Sequence, residues 1–246
     1  MTTNTVLRDF QGPAGRLEAL LEMPVSPSQA ATTSGAGVGP TSAETTPAAP
    51  PALKAVVVLG HPHPQFGGTM HTKGLYHTAK GLLRIGCAVL RFNFRGVGKS
   101  EGAYDEGRGE RDDFRAALDV MAGRHPGVPL WAGGMSFGSW VGMNVGAEDP
   151  RVSALIGVAA PVSKWDFEAV AGSPKPKFLV HGELDEICGL KEITAFYSRA
   201  ADPKELAIID AADHLFNGKA SEVAEAIEDL LADWDPPRAP VDSSHD

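Results

Sequence analysis

The chain has 246 residues, 43% of them hydrophobic and 22% charged, a balance that fits a globular protein with a sizeable core. Its formal net charge of -9 repels phosphate backbones and anionic lipid, which argues against nucleic-acid and membrane partners. Cys87 and Cys188, the two cysteines, share no ligand-like spacing. They read as buried thiols of a reducing, cytoplasmic compartment rather than a disulfide framework or a metal knuckle. The stretch MTTNTVLRDFQG has no basic region leading into an apolar core, so no signal peptide is expected there, and no apolar run reaches membrane-spanning length.

In chain order, Thr5 to Phe10 and Arg16 to Met23 pattern as two short strands around a Gly-Pro-Ala-Gly turn. From Ser26 to Pro51 the composition collapses almost entirely to Ala, Thr, Ser, Gly and Pro, with a single charge, Glu44. Such a segment buries too little to offset its ordering entropy and is expected to be a disordered insertion between two strands. Ala55 to Leu59 is a continuous apolar run, the pattern of a strand buried on both faces.

Strand and helix signals then alternate. The spacing predicts helices over Thr72 to Arg84, Glu110 to Met121, Trp140 to Ala147, Leu190 to Ala200 and Ala220 to Trp234. It predicts strands over Ala88 to Phe94, Leu130 to Met135, Ala154 to Ala159, Phe178 to His181 and Leu206 to Ile209. Repeated β-α-β with apolar strands implies an α/β fold, a mostly parallel sheet with helices on both faces. This reads as one domain over residues 1–234, followed by a Pro-rich polar tail at 235–246 expected to fray.

The chemistry concentrates after the strand at Leu130. Gly134-Met135-Ser136-Phe137-Gly138 is a Gly-x-Ser-x-Gly motif between an apolar strand and a small-residue helix. A serine at such a strand-to-helix turn projects its hydroxyl from the sheet edge, and glycine two residues away on each side leaves room for strand and helix to approach. Serine becomes nucleophilic when a base takes its proton, and that base needs an acid to orient it. His181-Gly182-Glu183-Leu184-Asp185 follows one later strand and Asp213-His214 follows the next. This sets Ser136, Asp185 and His214 in the order nucleophile, acid, base.

These segments resemble the α/β-hydrolase superfamily over nearly the whole chain outside the insertion and tail. Within it the chain is most similar to the small lidless branch of dienelactone hydrolase-like proteins. His61-Pro62-His63-Pro64-Gln65-Phe66-Gly67-Gly68-Thr69-Met70 is similar to the signature after that branch's third strand. Arg91-Phe92-Asn93-Phe94-Arg95-Gly96-Val97-Gly98-Lys99-Ser100 looks like its loop after the fourth, and His181 to Asp185 matches its acid loop. Dienelactone hydrolases carry cysteine at the nucleophile position. Serine at 136 is a departure that favours simpler esters as substrates.

The resemblance implies no cap domain, no cofactor, and a small-molecule ester substrate cleaved through an acyl-enzyme. Thioester or peptide cleavage on the same triad, or ligand binding without catalysis, are the alternatives. It also implies two backbone oxyanion donors, one being the N–H of Phe137. The other lies in the His61 to Met70 loop, where Pro62 and Pro64 have no N–H. His63 or Gln65 remains, and alignment to the family's His-Gly-x pattern favours His63.

The rival residues have plainer readings. Glu183 and Glu186 read as solvated loop charges and His181 as a structural loop histidine. The His61-x-His63 pair lacks the further ligands of a hydrolytic zinc site, so no metal is expected. Gly98-Lys99-Ser100 lacks the upstream glycine of a phosphate-binding loop, since Asn93 stands there. Arg95 is expected to tie down a loop beneath the site. The short Pro161 to Lys177 stretch leaves no room for a helical lid, so the site is expected to be open. Phe66, Phe137, Trp165, Leu215 and Phe216 are its candidate walls. Oligomeric state is not encoded in any motif.

Overall fold

The computed structural model describes residues 3–7, 10–24 and 52–234. The low-complexity insertion expected at 26–51 and the tail expected from 235 lie outside the described residues.

One eight-stranded sheet runs in the order β1-β4-β6-β5-β7-β8-β9-β10. Its strands are β1 (Thr3–Leu7), β4 (Ala19–Met23), β5 (Val56–Gly60), β6 (Ala88–Phe92), β7 (Leu130–Met135), β8 (Val152–Val158), β9 (Lys177–Gly182) and β10 (Lys204–Ile209). From β6 to β10 every pair is parallel, whereas β1–β4 and β4–β6 are antiparallel. A small hairpin, β2 (Gln11–Gly12) and β3 (Gly15–Arg16), sits apart from it. The central strands β5 and β7 are buried at every position, which is why they read as unbroken apolar runs rather than alternating ones.

Helices α1 (Lys73–Arg84) and α6 (Ala220–Leu231) cover one face, where Leu75, Ala79, Leu82, Ile227 and Leu231 pack on Val57, Leu59 and Trp131. The opposite face carries α2 (Arg108–Arg124), α3 (Phe137–Glu148), the short α4 (Glu168–Gly172) and α5 (Leu190–Arg199). There Phe114, Leu118, Val141 and Phe196 meet Val58, Leu90 and Ala132. The chain leaves β5 toward α1 on one face and leaves β7 toward α3 on the other. The loops after these neighbouring strands therefore diverge and open a crevice at their carboxyl ends, where open α/β sheets bind ligands.

Boundaries differ from the sequence expectations in three informative places. Helix α3 begins at Phe137, directly after Ser136, not at Trp140. Gly138, Gly142 and Gly146 make up its sheet-facing stripe, so no hydrophobic periodicity marks the first turn. Strand β6 ends at Phe92, two residues short of the expected bound, although the Asn93 N–H still donates to the Glu18 carbonyl at 2.8 Å in register with the β4 pairing. The stretch 161–177 contains α4, a five-residue turn of helix and far short of a lid.

The loop after β5 is anchored from beneath. Arg91 and Glu22 form a buried ion pair at 2.7 Å, and Arg91 also donates to the Met70 carbonyl. The Met70 N–H donates to Asn93 Oδ1 at 2.8 Å. Arg95 makes a two-pronged contact with Asp113 on α2, at 3.0 and 2.7 Å, and so pins the neighbouring loop as its sequence context suggested. Forked guanidinium–carboxylate pairs of this kind fix orientation as well as distance.

Candidate active site

Ser136 occupies a backbone conformation that L-residues seldom adopt, φ 54° and ψ −121°. Strain of this sort costs on the order of 1–3 kcal/mol and persists when neighbours over-determine it. Here the Ser136 N–H donates to the Val158 carbonyl at 2.9 Å, and the Ser136 carbonyl accepts from the Ser139 hydroxyl at 2.6 Å and the Ser139 N–H at 2.9 Å. The turn is also closed by absent side chains. A Cβ on Gly138 would lie 2.1 Å from the Gly60 carbonyl oxygen, and one on Gly134 would lie 2.4 Å from the same atom. Any side chain at either place would push α3 off β5.

The three side chains singled out from sequence meet. His214 Nε2 lies 2.9 Å from Ser136 Oγ, and His214 Nδ1 lies 2.8 Å from Asp185 Oδ2. An ionised carboxylate only accepts, so Nδ1 carries the ring hydrogen and Nε2 presents its lone pair to the serine hydroxyl. All three residues are buried. Burial opposes ionisation of Asp185. The hydrogen bonds from His214 and the Cys188 N–H, together with the nearby imidazoles, outweigh it and hold the carboxyl below its ordinary value. Its second oxygen, Oδ1, accepts the N–H groups of Ile187 and Cys188, each at 2.9 Å.

The loops bearing acid and base are tied together, partly by residues that sequence reasoning took for solvated charges. Glu186 accepts the His214 N–H at 3.3 Å and Glu183 accepts the Ala211 N–H at 2.8 Å. No sequence signal marks these roles, because they depend on two loops meeting. Asp213 accepts from the Leu215 and Asn217 N–H groups at 3.2 and 2.9 Å and folds the turn that follows the histidine. His181 lies beneath the acid loop and donates from Nε2 to the Cys188 carbonyl at 2.7 Å. Desolvation lowers its pKa and keeps it neutral, in keeping with a structural role. Both cysteines are free and buried. Burial pushes the Cys87 thiol up to about 12 and raises that of Cys188, which makes them poor nucleophiles.

The two histidines of the His-Pro-His-Pro segment divide the work. His61 is fully buried, accepts the Phe94 N–H on Nε2 at 3.1 Å and donates from Nδ1 to the Pro62 carbonyl at 2.6 Å. It thereby joins the loops after β5 and β6. Desolvation lowers its pKa to about 4. A histidine held neutral in the fold but free to protonate when unfolded destabilises the protein as pH falls from about 6.5 to about 4. That loss is on the order of 3 kcal/mol across the window. Unfolding free energies of wild type and His61→Asn compared at pH 7 and pH 4.5 test this. The variant should show the shallower acid loss, and equal slopes would remove His61 as the source.

His63 caps a short 3-10 turn, Pro64–Phe66, and its Nδ1 accepts the Gln65 N–H at 3.2 Å. The Gln65 N–H is therefore already engaged, whereas among the described residues no acceptor takes the N–H of His63. Of the candidate walls, Phe66 and Leu215 are exposed and Trp165 is half-buried. Phe137 and Phe216, offered as walls from sequence, are instead fully buried core residues. Phe137 opens α3 and Phe216 lies in the loop after His214, places where the motif does not reveal which side faces inward. Among the described residues no three His, Cys, Asp or Glu side chains gather as a metal site, and no helix is long and apolar enough to cross a membrane.

Comparison with known proteins agrees with this architecture. A family model described as serine aminopeptidase, S33, matches residues 51–175. An uncharacterized protein of Rickettsia prowazekii is 34% identical over 231 residues, 90% of this chain and 87% of that one. An α/β serine hydrolase homologue from Coxiella burnetii superposes with a TM-score of 0.77 at 31% identity, covering 94% of this chain and 97% of its own. A Xanthomonas campestris α/β serine hydrolase described as lacking a lid gives a TM-score of 0.77 at 27% identity, with 97% of each chain covered. The chain belongs to this family of α/β serine hydrolases, in its lidless form.

Proposed function

We propose that the protein is a serine esterase that cleaves small carboxylic esters, with Ser136 as nucleophile, His214 as general base and Asp185 as the acid that orients it. The observation that carries this reading is the unbroken hydrogen-bonded chain from Asp185 Oδ2 through His214 to Ser136 Oγ, at 2.8 and 2.9 Å. Ser136 Oγ attacks the carbonyl carbon while His214 Nε2 takes its proton. Asp185 holds the ring in the reactive tautomer and stabilises the imidazolium. The N–H groups of Phe137 and His63 receive the oxyanion, a choice supported by the engagement of the Gln65 N–H elsewhere. His214 then gives its proton to the departing alcohol oxygen as the C–O bond breaks. A water deprotonated by His214 attacks the acyl-enzyme, and Ser136 recovers its proton as the acid leaves.

The lidless form supports short substrates, because among the described residues no element closes over a long chain. Hydrolysis of esters of increasing acyl length is expected to peak at two to four carbons, with Ser136 labelled by a fluorophosphonate. A maximum at long acyl chains would defeat the lidless argument, and failure to label would point to a binding protein. The description of the matching family favours peptide cleavage as a second reading. Aminoacyl anilides in the same panel decide between them.

A further inference from the structure

An aromatic patch gathers on Phe137, the residue directly after Ser136, and its exposed rings come from three separate loops. His63 and Phe66 follow β5, Tyr104 follows β6 and Trp165 follows β8. The His63 ring is the hub, with centroids 4.6 Å from Phe66, 5.1 Å from Tyr104 and 6.1 Å from Trp165. The cluster rests on the buried ring of Phe137, the residue after Ser136, at 5.1 Å from His63, 5.7 Å from Trp165 and 6.1 Å from Tyr104. Phe66 is 85% exposed, and His63, Tyr104 and Trp165 are each partly exposed. Phe66, the most exposed of these rings, offers an apolar face that a bound group could cover.

The cluster also carries one directed polar group. Because His63 Nδ1 accepts from the Gln65 N–H, the hydrogen of the neutral imidazole sits on Nε2. Nε2 lies 3.1 Å from Tyr104 Oη, so the phenol oxygen accepts that hydrogen. Tyr104 keeps its own O–H, and among the described residues no group accepts it. Burial lowers the His63 pKa and raises that of Tyr104, which keeps both neutral and preserves the arrangement.

We propose that His63, Phe66, Tyr104 and Trp165 form a subsite for an aromatic group of the substrate, with the Tyr104 hydroxyl donating to a hydrogen-bond acceptor on that ring. The proposal rests on Ser136 being the nucleophile, since it places the ring beside the scissile carbonyl. Faces and edges of rings recognise another ring beyond simple area burial, worth about two- to tenfold for each well-placed pair. An alkyl chain of equal size gains only the area contribution.

Two matched ester pairs test it: methyl phenylacetate against methyl hexanoate, with the ring on the acyl side, and phenethyl acetate against hexyl acetate, with the ring on the alcohol side. Methylene spacers keep the intrinsic reactivities close. At least one pair should favour the aryl ester by about tenfold or more in kcat/KM, and Phe66→Ala should narrow that ratio about threefold or more. In the favoured series a para-methoxy ring should outrun the plain ring, and Tyr104→Phe should abolish that difference. Ratios within twofold in both pairs, with Ser136 still labelled by a fluorophosphonate, would overturn the subsite and leave the hydrolase reading standing. Loss of labelling would remove both. An aryl preference untouched by Phe66→Ala and Tyr104→Phe would place the ring elsewhere and also overturn the proposal.

Discussion

Ser136→Ala should lower kcat on short esters by about 10⁴- to 10⁶-fold while the fold stays intact. The substitution removes one oxygen, keeps the Cβ that the turn already tolerates, and leaves the backbone bonds to Val158 and Ser139 in place. His214 is left with no hydroxyl to activate. What survives is the contribution of binding and of the oxyanion donors, which in such sites still exceeds the reaction in water. The check is kcat of purified variant beside its thermal midpoint. An intact midpoint with activity within tenfold of wild type would mean that the nucleophile is another group.

Asp185→Asn is expected to be nearly as damaging, about 10⁴-fold in kcat with little change in KM. The reason lies in the two oxygens of the carboxylate. Oδ1 accepts two backbone N–H groups, from Ile187 and Cys188, while Oδ2 faces His214 Nδ1. An amide has one acceptor oxygen and one donor nitrogen. Two N–H donors on one side demand the oxygen there, which turns the NH₂ toward His214. Nδ1 must then accept, the ring hydrogen moves to Nε2, and the serine faces a donor instead of a base. Steady-state kinetics of the variant decide the matter. A loss confined to KM would show that Asp185 acts in binding rather than on the tautomer of His214.

Both expectations depend on loops that were readable one at a time. Ser136, Asp185 and His214 each follow an apolar strand and stand in a recognisable order, so local patterning nominated their loops, and the likeness to the family's acid loop singled out Asp185 from Glu183 and Glu186. Patterning also marked the parallel sheet, since a strand buried on both faces writes its burial into consecutive residues. Where patterning is mute the reading slipped. The glycine stripe of α3 has no hydrophobic period, and Glu183 and Glu186 look like any other loop carboxylates until the 211–214 turn is seen against them.

The Gly-x-Ser-x-Gly motif marked the serine turn and the resemblance to the family's loops picked out the three side chains that meet, whereas composition and periodicity by themselves determined the class of fold and its buried strands. These are properties of short segments partitioning between core and water. Tertiary structure alone decided the antiparallel pairing of β4 with β6, the burial of Phe137 and Phe216, the tie of His61 to the Phe94 N–H and the contact of Tyr104 with His63. Each of these joins groups from different loops or faces, whose meeting is set by closure of the whole sheet and leaves no trace in the spacing of either partner.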